Sequence, residues 1–324
     1  MLSFSEGQEL INRELQKLPV AHEPRDLYDP IKYIIKIGGK RLRPVLVLMS
    51  CNLFTEDYLI ALKQALGIEL FHNFTLLHDD IMDESEIRRN HPTVHQKWNK
   101  NIAILSGDAM SIMSHRFIAD CDEGVMRPVI EMFSKTALEV CEGQQFDMNY
   151  ENRKQISTQD YLKMIELKTA VLIAASMGIG ALTGKASASL VKQSYEFGKN
   201  IGMAFQIRDD YLDVYGEPGV FGKMIGQDIL SNKKTYLLTR SIELARGIIR
   251  KELQKWQTAT DYDTDEKINA IRNIYSRLEI EKLTASAMNE YYQEAIRHLD
   301  KMKIKEDRKS ELRKIADTIL ARHQ

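Results

Sequence analysis

The chain has 324 residues, 44% of them hydrophobic, enough for a sizeable core, and length alone leaves one large domain or two smaller ones open. Lysine plus arginine (45) balances aspartate plus glutamate (46), so no global field favours nucleic acid or an anionic membrane, and any charged ligand must be held by local clusters. Three scattered cysteines, Cys51, Cys121 and Cys141, show no metal spacing; the odd count argues against a disulfide framework and makes a reducing cytoplasm the simplest compartment.

The N-terminal segment is polar and amphipathic, with no basic stretch leading into an apolar one, so no signal peptide is expected. Prolines number only seven, and apolar residues recur at steps of three and four. That periodicity predicts helices over 7–17, 30–37 and 43–53, then a long helix over 55–82 whose stripe Leu62, Leu66, Leu70, Phe74, Leu77 and Ile81 keeps to one face. Further helices are expected over 102–121, 128–149, 159–183, 186–215 and 234–257, with two or three more towards the C-terminus. The 16 residues from Thr169 to Gly184 are uncharged but fall short of the ~20 needed to span a bilayer, and they read as a helix buried in a large helical protein. Between the last two of those helices lies GEPGVFGKMIGQDILSNKK, whose glycine density fits either a mobile flap or a plain surface loop. No strand–helix alternation, repeat or linker interrupts the pattern, so the expectation is an all-α protein, a single domain over 1–324 of roughly ten or more helices.

Two clusters break the apolar pattern. LLHDDIMDESEIRRN carries Asp79, Asp80 and Asp83, with Asp79 and Asp83 four apart and therefore on one helix face. Like charges ~4 Å apart near a surface repel by ~4 kcal/mol at an effective dielectric of ~20, so the pair calls for a counter-charge. QIRDDYLDV repeats the spacing 130 residues later with Asp209, Asp210 and Asp213. Carboxylate-only sites suit Mg²⁺ bridging a phosphorylated substrate. A single DDxxD is common on solvated helix faces, but two copies, each ending an apolar run and each with cationic or amide companions, support one another. The companions are Lys40, Arg41 and Arg43 in GGKRLRP, Arg88 and Arg89 in IRRN, Lys168 and Thr169 in LKTA, and Lys223 in FGKMIG. Singly each reads as a solvated charge; together they would neutralise two diphosphates. Three other features are set aside: GALTGKA is one residue short of a Walker A loop, His91 and His95 are separated by Pro92 and lack a third ligand, and KMKIKEDRKSELRK reads as a solvated helix.

The series GGKRLRP, LHDDIMD with RRNHPTVH, LKTA, FQIRDDYLD, and GKMIGQD with KKT resembles the trans-polyprenyl diphosphate synthases, in family order and across 38–235. The resemblance implies the all-α isoprenoid synthase fold, a bundle around a deep central cavity, usually a homodimer. It implies that Asp79, Asp83 and Asp209, with Asp213, hold a cluster of three magnesium ions on the allylic diphosphate. It implies that Arg88, Lys168, Thr169, Gln206 and Lys223 make the other allylic contacts, while Lys40, Arg43, His72 and Arg89 clamp isopentenyl diphosphate. His72, Asp79 and Asp83 share a helix face by spacing, as do Gln206, Asp209 and Asp213.

The implied reaction is ionisation, condensation and elimination, with no protein nucleophile. A class I terpene cyclase shares the fold but would carry a different second metal motif and would not need GGKRLRP; a non-catalytic subunit would be expected to have lost one cluster. For product length, Phe74 stands five residues before Asp79, Thr75 four before, and Phe71 one turn further back. An aromatic at the fifth position alone resembles short-chain enzymes, so products of fifteen to twenty carbons are expected, geranylgeranyl diphosphate favoured over farnesyl diphosphate, with Phe71 a second stop.

Overall fold

The computed structural model describes residues 1–20, 22–151, 153–216 and 225–320. Among them the fold is helical apart from one two-stranded hairpin. In chain order the helices are α1 Phe4–Leu15, α2 Arg25–Ile37, α3 Leu42–Asn52, α4 Leu62–Met82, α5 Val94–Lys97, α6 Lys100–Ala119, α7 Glu123–Glu151 and α8 Thr158–Ile165. There follow α9 Val171–Thr183, α10 Ala188–Tyr215, α11 Gln227–Leu230, α12 Tyr236–Leu244, α13 Gly247–Thr258, α14 Thr264–Arg277, α15 Ile280–Lys301 and α16 Glu306–Leu320. The chain forms two compact units: Met1–Lys135 with Ala175–Tyr195 and Lys301–Ile315, and Thr136–Ala174 with Glu196–Asp300 and Ala316–Gln324.

In the first unit a capping box starts α1, Ser3 accepting from the Glu6 amide while Glu6 reaches back to Ser3. Helix α3 has no polar face, and Pro44 to Asn52 are all buried, as expected of a helix enclosed on every side. It packs on α4, which also runs along α6. In the second unit one core joins Tyr161, Met164 and Ile165 of α8 to Met203 and Ile207 of α10 and Met288 of α15. Another gathers Leu237, Leu253, Trp256, Ile271, Ile274 and Tyr275 from α12, α13 and α14.

Several expected boundaries move. The helix expected over 234–257 is two: Ala245 leaves helical geometry at ψ 130 and Gly247 takes φ 54, so α12 and α13 meet at a corner. The long helix expected from residue 55 begins with a 3₁₀ turn, Tyr58–Ala61, and becomes α-helical at Leu62. The run over 159–183 is continuous but interrupted by a π turn, Glu166–Ala170. Its apolar second half is buried as expected, with only Leu182 partly exposed. Periodicity could not show the hairpin Ile87–Arg88 with His91–Pro92, which is two residues long on each side. Residues 217–224 of the glycine-rich stretch, Lys223 among them, lie outside the described residues.

Candidate active site

The site residues fall into two groups, one in each unit. In the first, α4 ends at Met82 and Asp83 caps it with near-helical dihedrals, its amide donating to the Asp79 carbonyl at 2.9 Å. Asp79 is therefore on the last turn and Asp83 at its exit, the first partly exposed and the second exposed. Asp80, between them, is buried; its carboxylate accepts from Arg88 Nε at 2.9 and 2.8 Å, and Arg88 Nη2 also reaches Asp80 at 2.8 Å and Asp79 at 3.5 Å. Burial pushes the Asp80 carboxyl up, and Arg88 opposes that shift.

The hairpin explains how two adjacent arginines serve different partners. Arg89 and Asn90 take φ 52 and 62, the left-handed pair of a two-residue hairpin turn. Arg88 is thereby turned back onto the carboxylates. The Arg89 guanidinium lies against Gly39, where an added Cβ would stand 2.6 Å from Nη1. Nearby, Arg43 Nη1 donates to His72 Nε2 at 3.1 Å. Burial, then Arg43, Arg89, Arg88 and Arg41, hold the His72 imidazole well below its usual range, so the ring is neutral at pH 7. Lys40 is exposed on the loop before α3. Arg41 is not available to phosphate: it is buried, paired with Glu69 at 2.5 Å, and bonded to Asn12 at 3.0 Å and the Ile35 carbonyl at 2.7 Å. Its left-handed backbone, φ 52, turns it inward while Arg43, two residues on, stays partly accessible.

The same helix carries the residues expected to limit product length. Phe71 is 2% exposed, and its ring lies 5.5 Å from that of Phe74 and 5.2 Å from that of Phe133. Phe74 is partly exposed and its ring meets His78 at 4.7 Å. The Thr75 hydroxyl donates to the His72 carbonyl at 2.8 Å.

In the second unit Gln206, Asp209, Asp210 and Asp213 lie on α10. Asp210 is buried, accepting from the Tyr161 hydroxyl and, at 2.9 Å, from the Tyr236 amide. Burial and then Asp228 push its carboxyl up to about 7. Asp209 and Asp213 are partly exposed, and Asp213 accepts from the Asp228 amide at 3.0 Å. Lys168 and Thr169 sit on the π turn; Lys168 Nζ pairs with Asp147 at 2.6 Å, and the Thr169 hydroxyl donates to Gln206 at 3.1 Å. Asp147, Tyr161, Asp228 and the buried middle aspartates were not anticipated as supports. Asp147, Tyr161 and Asp228 carry no local signal in the sequence.

The Polyprenyl synthetase family model matches residues 24–275. A geranylgeranyl diphosphate synthase of Methanosarcina mazei is 40% identical over 228 residues, 70% of each chain. Another, from Sulfolobus acidocaldarius, is 33% identical over 305 residues, 92% of each chain. The crystal structure of a geranylgeranyl pyrophosphate synthase superposes with a TM-score of 0.94 at 40% identity, covering 99% of both chains. That of the geranylgeranyl pyrophosphate synthetase from Pyrococcus horikoshii Ot3 gives 0.92 at 31% identity, covering 98% of this chain and 97% of the other.

Proposed function

This chain belongs to the polyprenyl synthetase family, and we propose that it is a short-chain trans-prenyltransferase joining isopentenyl diphosphate to an allylic diphosphate, with geranylgeranyl diphosphate the favoured product. The observation that carries this reading is the common build of the two clusters. In each the middle aspartate is buried and hydrogen-bonded, while the outer two are partly or well exposed residues.

Asp79, Asp83, Asp209 and Asp213 would hold magnesium, in a cluster of three ions. The donors are all carboxylate oxygens. That fits Mg²⁺, which keeps several waters and takes its remaining ligands from substrate phosphate. When bound, the metal supplies positive charge to the departing pyrophosphate.

The chain's own cations do the rest. Arg88, Lys168 and Lys223, with the hydroxyl of Thr169 and the amide of Gln206, grip the allylic diphosphate and stabilise charge developing on it. Lys40, Arg43 and Arg89 hold isopentenyl diphosphate, and neutral His72 adds a hydrogen bond without adding charge. The allylic cation is attacked by the isopentenyl double bond, and proton loss to the released pyrophosphate restores an alkene. The growing tail runs back along α4 towards Phe74 and Phe71. We further propose a cytoplasmic homodimer: the three thiols are free, and α6 exposes Ile104, Leu105 and Ile112.

The test is turnover with magnesium, isopentenyl diphosphate and dimethylallyl diphosphate, read by chromatography of the dephosphorylated products. A twenty-carbon alcohol is expected; no elongation at all would refute the reading. Phe74→Ala should lengthen the product by at least one isoprene unit, at a stability cost below the ~3 kcal/mol of a fully packed phenylalanine because the ring is partly exposed. An unchanged product distribution in both Phe74→Ala and the Phe71→Ala/Phe74→Ala double variant would place the floor elsewhere.

A further inference from the structure

Lys168 and Thr169 sit on a turn of unusual geometry. Glu166–Ala170 is π-helical, with the Val171 amide donating to the Glu166 carbonyl. A π turn holds one residue more than an α turn and has poorer internal packing; such turns are rare and concentrate at functional sites. Two glycines make room beside this one. A Cβ on Gly143 of α7 would stand 2.2 Å from Lys168 N, 2.6 Å from Lys168 Cα and 2.7 Å from the Leu167 carbonyl carbon. A Cβ on Gly202 of α10 would stand 2.7 Å from Ala170 Cα and 2.9 Å from Ala170 Cβ. None of these atoms can swing aside. Neither glycine has a positive φ, and glycine weakens a helix interior relative to alanine, so what each contributes is space.

Each glycine is followed, one helical turn later, by the side chain that ties the π turn down. Asp147, four residues after Gly143, pairs with Lys168 Nζ at 2.6 Å. Gln206, four after Gly202, accepts from the Thr169 hydroxyl at 3.1 Å. Residues four apart share a helix face, so the closeness of backbone approach at each glycine fixes how its partner side chain meets the turn. We propose that Gly143 with Asp147, and Gly202 with Gln206, are two positioning pairs that clamp the π turn from two helices and so aim Lys168 and Thr169 at the allylic diphosphate.

This inference rests on the reading of Lys168 and Thr169 as allylic contacts. Its test compares Gly143→Ala and Gly202→Ala with Gly178→Ala, a control on α9 where an added Cβ would meet Met132 Sδ at 2.6 Å, in the other unit. Steady-state kinetics with magnesium, farnesyl diphosphate and isopentenyl diphosphate are set beside each variant's Tm. The first two variants should raise KM for farnesyl diphosphate by about fivefold or more and KM for isopentenyl diphosphate by less than about twofold. Gly178→Ala, even with an equal loss of Tm, should change neither by more than about twofold. Equal effects on both substrates, or effects no larger than the control's, would overturn the proposal. Where either alanine variant does not fold, Asp147→Asn, which keeps volume and helix but weakens a half-buried ion pair, should raise KM for farnesyl diphosphate about threefold with a smaller loss of Tm than Gly178→Ala; an unchanged KM would overturn it. The clamp is also readable without turnover, as faster hydrogen exchange at residues 166–171 in Asp147→Asn than in the wild type, and unaltered exchange would refute it. A wild type with no activity would instead refute the functional reading.

Discussion

Asp80 and Asp210 occupy the same place in two clusters of identical spacing, yet opposite chemistry holds them. Asp80 is neutralised by a cation, the Arg88 guanidinium arriving from a two-residue hairpin. Asp210 is held instead by a tyrosine hydroxyl and a backbone amide, and its carboxyl is pushed up to about 7. The first solution ties up a cation that also touches Asp79. The second depends on hydrogen bonds, on burial and on the neighbouring helices α8 and α12. One DDxxD is thus an electrostatic unit and the other a packed one, although the outer aspartates of both are proposed as magnesium ligands.

The largest effect should come where the two clusters are equivalent. Asp79→Ala and Asp209→Ala are each expected to lower turnover on the order of 10³-fold or more, with helix content by circular dichroism nearly unchanged, because both side chains serve charge rather than core. Activity within about tenfold of wild type in either would remove the metal assignment from that cluster. The middle aspartates should then part company in stability. Asp80→Asn strands Arg88, whose side chain is only 24% exposed, and should cost about 2 kcal/mol in denaturant unfolding, a figure reduced for that partial exposure. Asp210→Asn keeps an oxygen for both the tyrosine and the amide and should cost less than about 1 kcal/mol. Equal losses would mean that the two sites are not held in different ways.

How much of this was legible follows from the same contrast. The outer aspartates declare themselves through spacing and through the apolar runs they terminate, and helix periodicity gave most element positions to within a few residues. The hairpin did not show, because two residues per strand carry no period and the Arg89–Asn90 turn lacks the usual glycine. Arg41 and Arg43 look alike in GGKRLRP, and only the left-handed backbone at Arg41 spends it on Glu69 rather than on a ligand. The π turn was invisible for a related reason, since one extra residue in a helix shifts an apolar stripe without abolishing it. Asp210 shows the general limit: what supports it comes from Tyr161 and Tyr236, both remote in sequence.

A smaller effect should separate the cations beside each cluster. Arg43→Ala is expected to raise KM for isopentenyl diphosphate several-fold more than KM for the allylic substrate, and Lys168→Ala to do the reverse, since a lost ligand contact acts on the substrate it grips. Matching shifts in both variants would show that the two diphosphates have been divided wrongly between the groups.

The smallest expected effect is a pH slope at His72. Its imidazole is held well below its ordinary value of 6.5, first by burial and then by Arg43, Arg89, Arg88 and Arg41. A base with a depressed folded pKa binds fewer protons folded than unfolded. Its contribution to stability is therefore whole above the unfolded value and is lost as pH falls below it towards the folded value. Over the unit of pH below 6.5 this amounts to at most about 1 kcal/mol, because the unfolded imidazole takes up most of one proton there and the folded one takes up less. His72→Gln keeps a neutral acceptor for Arg43 but cannot take the proton. Denaturant unfolding at pH 7.5 and 5.5 should therefore show a smaller fall in stability for the variant than for the wild type, by about that amount. Parallel falls in the two proteins would mean that His72 is already protonated beside four arginines, and the neutral hydrogen-bonding role assigned to it on isopentenyl diphosphate would have to be given up.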